Sequence, residues 1–117
     1  NKVKYPYNVN ILTQNFVSGE LEKLELRKQW IDILLKGREF LKSELSKLPF
    51  VEKIYPTDAN FLLVKVGDAN ALYQKLADKG VIVRNRNSVS LCAGCLRITV
   101  GTDEENKTLI ETLQNIQ

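Results

Sequence analysis

The segment Gly94-Cys95-Leu96-Arg97-Ile98-Thr99-Val100-Gly101-Thr102 leaves this chain few choices. Leu96, Ile98 and Val100 alternate with Arg97 and Thr99, and a strand sends alternate side chains to opposite faces. The three aliphatic residues therefore define a core face. Gly101-Thr102 then opens directly into a helix: Thr102 is placed to cap it, and Glu105, three residues on, closes a capping box. This helix start is not a phosphate cradle, because Asp103, Glu104 and Glu105 already occupy the positive end of its dipole. What remains is one cation, Arg97, on the face opposite the core. A second cation group lies upstream in Val81-Ile82-Val83-Arg84-Asn85-Arg86-Asn87.

The other elements follow from the same kind of pattern. Residues 1–19 read as a linker with a short helix, capped by Asn8 or Asn10 and reaching about Val17, and Pro6 holds Tyr5 extended. Residues 20–48 read as one long helix, with Leu24, Ile31, Leu34, Leu41, Leu45 and Leu48 near one stripe and Pro49 as its stop. Gly37 in its middle costs about 1 kcal/mol against alanine, which marks a close packing approach. A helix of that length either leans on a neighbour as well as its own sheet or is simply amphipathic. Val51–Tyr55 is a short strand. Asn60–Val66, a near-continuous apolar run, predicts a central strand covered on both faces. Asp68 caps a helix over Ala69–Lys79 that stops at Gly80. Val81–Arg84 is a strand, Asn85–Gly94 a polar loop and Leu96–Val100 the last strand. Leu109, Ile110, Leu113 and Ile116 give the final helix its apolar face. The order helix, strand, strand, helix, strand, strand, helix predicts an α+β fold, a small mostly antiparallel sheet covered by helices.

Bulk properties exclude several functions. At 117 residues the chain is one domain with a real core. A net charge of +3, with no basic run or aromatic-interleaved stripe, gives no footprint for nucleic acid. No apolar run approaches the roughly 18 residues of a membrane span. Two cysteines fit a reducing, cytoplasmic setting. The absence of histidine removes His-based triads and His-ligated metal sites from this chain. Without methionine, and with asparagine first, it reads as a piece of a longer protein.

The cations are the main candidates for chemistry. Arg84 closes one strand and Arg97 sits within another; if the strands are neighbours, two guanidinium forks converge. Arginine suits such a site because its planar fork forms paired hydrogen bonds to carboxylate or phosphate. Spacing alone leaves both an anion site and a solvated pair open, and Arg86 reads as a loop cation. Cys92-Ala93-Gly94-Cys95 is a C-x-x-C that leads into a strand. A redox dithiol sits at a helix start, and zinc needs two more ligands, so these read as incidental thiols. Tyr5 and Tyr7 read as linker aromatics, with covering a flat ligand as the alternative.

Residues Gly94–Thr102 resemble the C-terminal signature of the histidinol-phosphate aminotransferases. Val81-Ile82-Val83-Arg84-Asn85 resembles the preceding strand of that family, with the same thirteen-residue separation between the two arginines. Pro6-Tyr7-Asn8-Val9-Asn10 is similar to the segment joining its large and small domains, and Thr57-Asp58-Ala59-Asn60-Phe61-Leu62-Leu63 to its central small-domain strand. The resemblance implies a fold-type I homodimer dependent on pyridoxal 5′-phosphate, exchanging an amino group between L-histidinol phosphate and 2-oxoglutarate, with glutamate as the other amino acid, in histidine biosynthesis. It makes residues 1–19 the interdomain linker and 20–117 the small domain. Arg97 would take the substrate phosphate or the glutamate α-carboxylate, with Arg84 as second ligand. The lysine that holds the cofactor, the aspartate on its pyridine nitrogen and most of its phosphate ligands would lie in a large domain upstream of Asn1. This chain would then contain no catalytic, cofactor-binding or metal-binding residue and be inactive alone. Sister enzymes of the same fold, such as aromatic aminotransferases or threonine-phosphate decarboxylases, and a free-standing anion-binding regulatory module are the alternatives.

Overall fold

The structure is a computed structural model and describes residues 9–116. Tyr5, Tyr7 and the expectation of an extended segment at 5–8 lie outside the described residues. The chain divides between Asp32 and Ile33 into two compact units.

The described residues of the first unit are mostly helical. Asn10 is the cap: its Oδ1 accepts from the Thr13 amide at 2.9 Å and opens α1, Ile11–Leu21. The helix passes Val17 by a turn, and none of its residues is buried. The single helix expected over 20–48 is interrupted. The Glu22 and Lys23 amides donate to Gly19 and Glu20, three residues back, which tightens and ends α1 before α2, Leu24–Leu45, begins.

The second unit holds the core. From Ile33 onward α2 buries Gly37, Leu41 and Leu45. It ends at Leu45, three residues early. The Leu48 amide turns back to Leu45, and Pro49 bars Leu48 from the helical region. There follow β1 (Val51–Ile54), β2 (Phe61–Val66), α3 (Ala69–Asp78), β3 (Arg84–Asn85), β4 (Cys95–Thr99) and α4 (Asp103–Gln114). The four strands form one sheet in the order β1-β2-β4-β3, antiparallel at every pairing. The expected α+β order is present.

Central placement of β2 is as expected; closure on both faces is not. Leu62, Val64 and Val66 are buried, whereas Phe61, Leu63 and Lys65 are half-buried. Across β4, Leu62 faces Ile98 and Val64 faces Leu96. These residues share one core with Leu41 and Leu45 of α2, Leu72 and Leu76 of α3, and Leu109, Ile110 and Leu113 of α4. The helices thus cover one side of the sheet. The apolar run is continuous because Phe61 and Leu63 furnish the other side.

Strand β3 is shorter than the expected Val81–Arg84. Gly80 adopts φ +79°, the left-handed conformation that glycine accepts, and the Val81 amide donates to the Leu76 carbonyl at 2.9 Å. Val81 is thereby spent on ending α3, and pairing starts at Arg84.

The local caps are as read. The Asp68 carboxylate accepts from the Asn70 and Ala71 amides. Thr102 and Glu105 form the capping box, with the Thr102 amide donating to Glu105 Oε2 at 2.7 Å. Its neighbour Asn106, 2% exposed, brackets Gly101 by accepting from its amide at 3.0 Å and donating to its carbonyl at 3.1 Å. Gly37 meets this corner. A Cβ there would stand 2.9 Å from Val100 Cγ1 and 3.0 Å from Asn106 Nδ2, so the close approach needs glycine.

Candidate functional site

Register decides where the two cations meet. Arg97 in β4 lies opposite Leu63 on one side and directly opposite Arg84 on the other. Like charges at facing positions of an antiparallel pair destabilise it. Among the described residues the ion pairs join lysines to glutamates, and neither arginine takes part. Arg97 Nε is fully buried and has no hydrogen-bond partner. Buried polar atoms in folded proteins are nearly always paired, and a guanidinium does not shed its charge. A facing pair of cations without a carboxylate partner among the described residues therefore has the donor set for an external anion. The pair lines one cleft of about 740 Å³, together with Asn85, Thr99 and Tyr73. Another cleft, of about 530 Å³, carries Glu104 and Glu105 and no cation, so it lacks that chemistry.

Short polar side chains fix the backbone on which Arg84 stands, not its side chain. Asn85 Nδ2 donates to Asn70 Oδ1 of α3 at 2.8 Å, while Asn85 Oδ1 accepts from the Asn87 amide. Asn87 Oδ1 then accepts from the Gly94 amide at 2.8 Å, closing the loop between β3 and β4. The Arg86 amide continues the ladder to Cys95, and its side chain lies outside the cleft lining. On the other flank the Arg97 guanidinium lies over the Phe61 ring, 5.2 Å from its centroid. Asn70, Asn85, Asn87 and Phe61 are absent from the sequence-based site. Asparagines around an Arg-Asn-Arg-Asn stretch are an ordinary loop signal, and Phe61 reads as core.

The C-x-x-C lies just before this strand. Cys95 is 1% exposed, and its thiol is pushed up, first by burial and then by Cys92. A raised thiol is a poor nucleophile. Lys65, on the same face as Arg97, is also raised, through its hydrogen bond and charge interaction with Glu52. It is therefore tied to a carboxylate, unlike the arginines. Among the described residues no three Cys, Asp or Glu side chains gather into a metal site, and no helix is long and apolar enough to cross a membrane.

Residues 1–113 match the family model described as aminotransferase class I and II. The chain is 48% identical over 116 residues to a histidinol-phosphate aminotransferase of Bacteroides thetaiotaomicron, covering 99% of this chain and 34% of that protein. It is 49% identical to the protein of the same name from Flavobacterium johnsoniae, over 97% of this chain and 33% of the relative. It thus spans about a third of the length of these relatives. Among solved structures, the histidinol-phosphate aminotransferase of Clostridium acetobutylicum superposes with a TM-score of 0.85 at 19% identity, over 97% of this chain and 35% of that one, a likeness of fold. A decarboxylase from Sulfurospirillum multivorans gives a TM-score of 0.73 at 27% identity, over 94% of this chain and 33% of the other.

Proposed function

We propose, from the premise that this chain belongs to the class I and II aminotransferases, that it forms the C-terminal small domain of a histidinol-phosphate aminotransferase. Residues 1–19 join it to a large domain, and residues 20–117 form one wall of the substrate pocket. The observation that carries this reading is the facing pair Arg84 and Arg97, without carboxylate partners and with the buried Arg97 Nε unpaired. Their forks take the phosphate of L-histidinol phosphate. In the other half-reaction they take a carboxylate of glutamate or 2-oxoglutarate. One site serves both because a guanidinium pair offers more donors than either anion needs.

Pyridoxal 5′-phosphate would supply the carbonyl that carries the amino group. The arginines of this chain fit a substrate anion, and no residue here is assigned to the cofactor. This chain alone is therefore inactive, and its contribution is to bind and orient. The apolar side chains left exposed support a larger assembly. Phe16 of α1 is 68% exposed, and Trp30 and Ile31 of α2 are more than half exposed. In the intact homodimer, a cytoplasmic enzyme, these residues are covered.

The test is an absorbance spectrum of the full-length protein with pyridoxal phosphate. The bound-cofactor band shifts to the amine form on adding L-histidinol phosphate and returns with 2-oxoglutarate. The likeness to a decarboxylase supports a second reading, in which the same arginines hold the phosphate of an amino-acid phosphate. Release of carbon dioxide from threonine phosphate, with no response to histidinol phosphate, would select it. No cofactor band at all would point to a free-standing anion-binding module.

A further inference from the structure

We propose that Phe61 is a positioning residue for Arg97: its ring holds the guanidinium in place while leaving the fork free for the substrate anion. The inference rests on the anion-site reading above.

The register brings the two side chains together. Phe61 faces Thr99 and Leu63 faces Arg97, so Phe61 and Arg97 are diagonal neighbours on the open side of the sheet. Diagonal neighbours come within reach when one is aromatic or long. The guanidinium lies over the ring at 5.2 Å, inside the range where the ring quadrupole attracts a cation. A half-buried arginine is ordinarily held by a carboxylate. That partner would occupy its donors and neutralise its charge, and an anion would have to compete with it. An aromatic face attracts the cation without accepting any of its five N–H groups. Arg97 therefore stays placed, with no carboxylate partner among the described residues to compete with the anion. Arg84 is exposed, and among the described residues no ring lies beneath it. The pair is thus unequal: Arg97 is the pre-set ligand, and Arg84 adapts to it.

The experiment uses the full-length enzyme and steady-state kinetics with L-histidinol phosphate. Four variants are compared: Phe61→Leu, Phe61→Tyr, Arg97→Lys, and replacement of Phe61 by pentafluorophenylalanine. The last keeps the ring's shape and reverses its quadrupole, so it reads the interaction even if Phe61→Leu does not fold. The proposal expects KM to rise about three- to thirty-fold for the leucine and pentafluoro forms, with kcat near the parent value, and Phe61→Tyr to restore the parent KM. An unchanged KM in the pentafluoro form, beside a raised KM in Arg97→Lys, overturns the role of Phe61 and leaves the anion site standing. An unchanged KM in Arg97→Lys overturns the anion site and this inference with it. A fall in kcat alone, equal in the leucine and pentafluoro forms, assigns the ring to structure and also overturns the proposal.

Discussion

On one side of β4, Leu96 and Ile98 are almost wholly enclosed by β2 and three helices. On the other side of the same strand, Arg97 and Thr99 face a cleft, and Arg97 sits opposite a second arginine. The backbone is common to both, and the ladder hydrogen bonds serve both equally. The difference shows where stability and binding capacity reside. The enclosed side gains from removing apolar surface from water, whereas the open side retains a charge repulsion that folding alone would not select.

That contrast can be broken by substituting neighbours. Leu96→Ala leaves a cavity in the enclosed side and is expected to cost about 2–5 kcal/mol in urea unfolding, with Leu63→Ala on the open side costing clearly less. Equal costs would remove the distinction between the faces. Arg97→Leu should do the reverse. In the full-length enzyme kcat/KM for L-histidinol phosphate should drop about a hundredfold to ten-thousandfold, as two charge-assisted hydrogen bonds are lost. Unfolding free energy should change by less than about 1 kcal/mol, because relief of the facing like charges offsets the lost attraction to the Phe61 ring. A large loss of stability would place Arg97 in the fold rather than the site.

Smaller effects refine the enclosed side. In an exposed helix, Gly→Ala gains about 1 kcal/mol. Gly37→Ala should instead lose about 1–3 kcal/mol, because the new methyl meets Val100 Cγ1 and Asn106 Nδ2. Thermal or denaturant melts give the sign directly. The smallest effect is a pH dependence at the capping box. The Thr102 backbone amide and then its hydroxyl hold the Glu105 carboxyl below its ordinary value near 4.5. A lowered folded pKa contributes stability that is present above the unfolded value and lost as pH falls through the folded one. The stability gap between the parent and Glu105→Gln should therefore be flat at neutral pH and close on acidification below the ordinary glutamate range.

The parts legible from sequence are those decided within a few residues. Asp68, Thr102 and Glu105 act on amides two or three positions away, so their roles need no tertiary information. The close approach at Gly37 is legible because glycine inside an amphipathic helix has few other uses. The parts that stay hidden are set by distant partners. Val81-Ile82-Val83 has strand character, yet Val81 is taken up by the end of α3. Phe61 belongs to an apolar run and reads as core until register places it under Arg97. The two arginines are visible as a spacing, but their facing depends on how the Asn85–Gly94 loop closes. That closure runs through asparagine side chains with no strong signature.

The strand order carries a consequence for synthesis. Interior strand β2 has its second neighbour in β4, which leaves the ribosome well after it. At about 5–20 residues per second, the nascent chain spends roughly seconds with Phe61–Val66 unpaired along one edge. That edge is apolar on both sides and rich in β-formers, the kind that recruits strands from other chains. Lys65 is the one charge within it. The middle of this sheet therefore presents an unpaired edge during translation until residues 95–99 arrive to cover it.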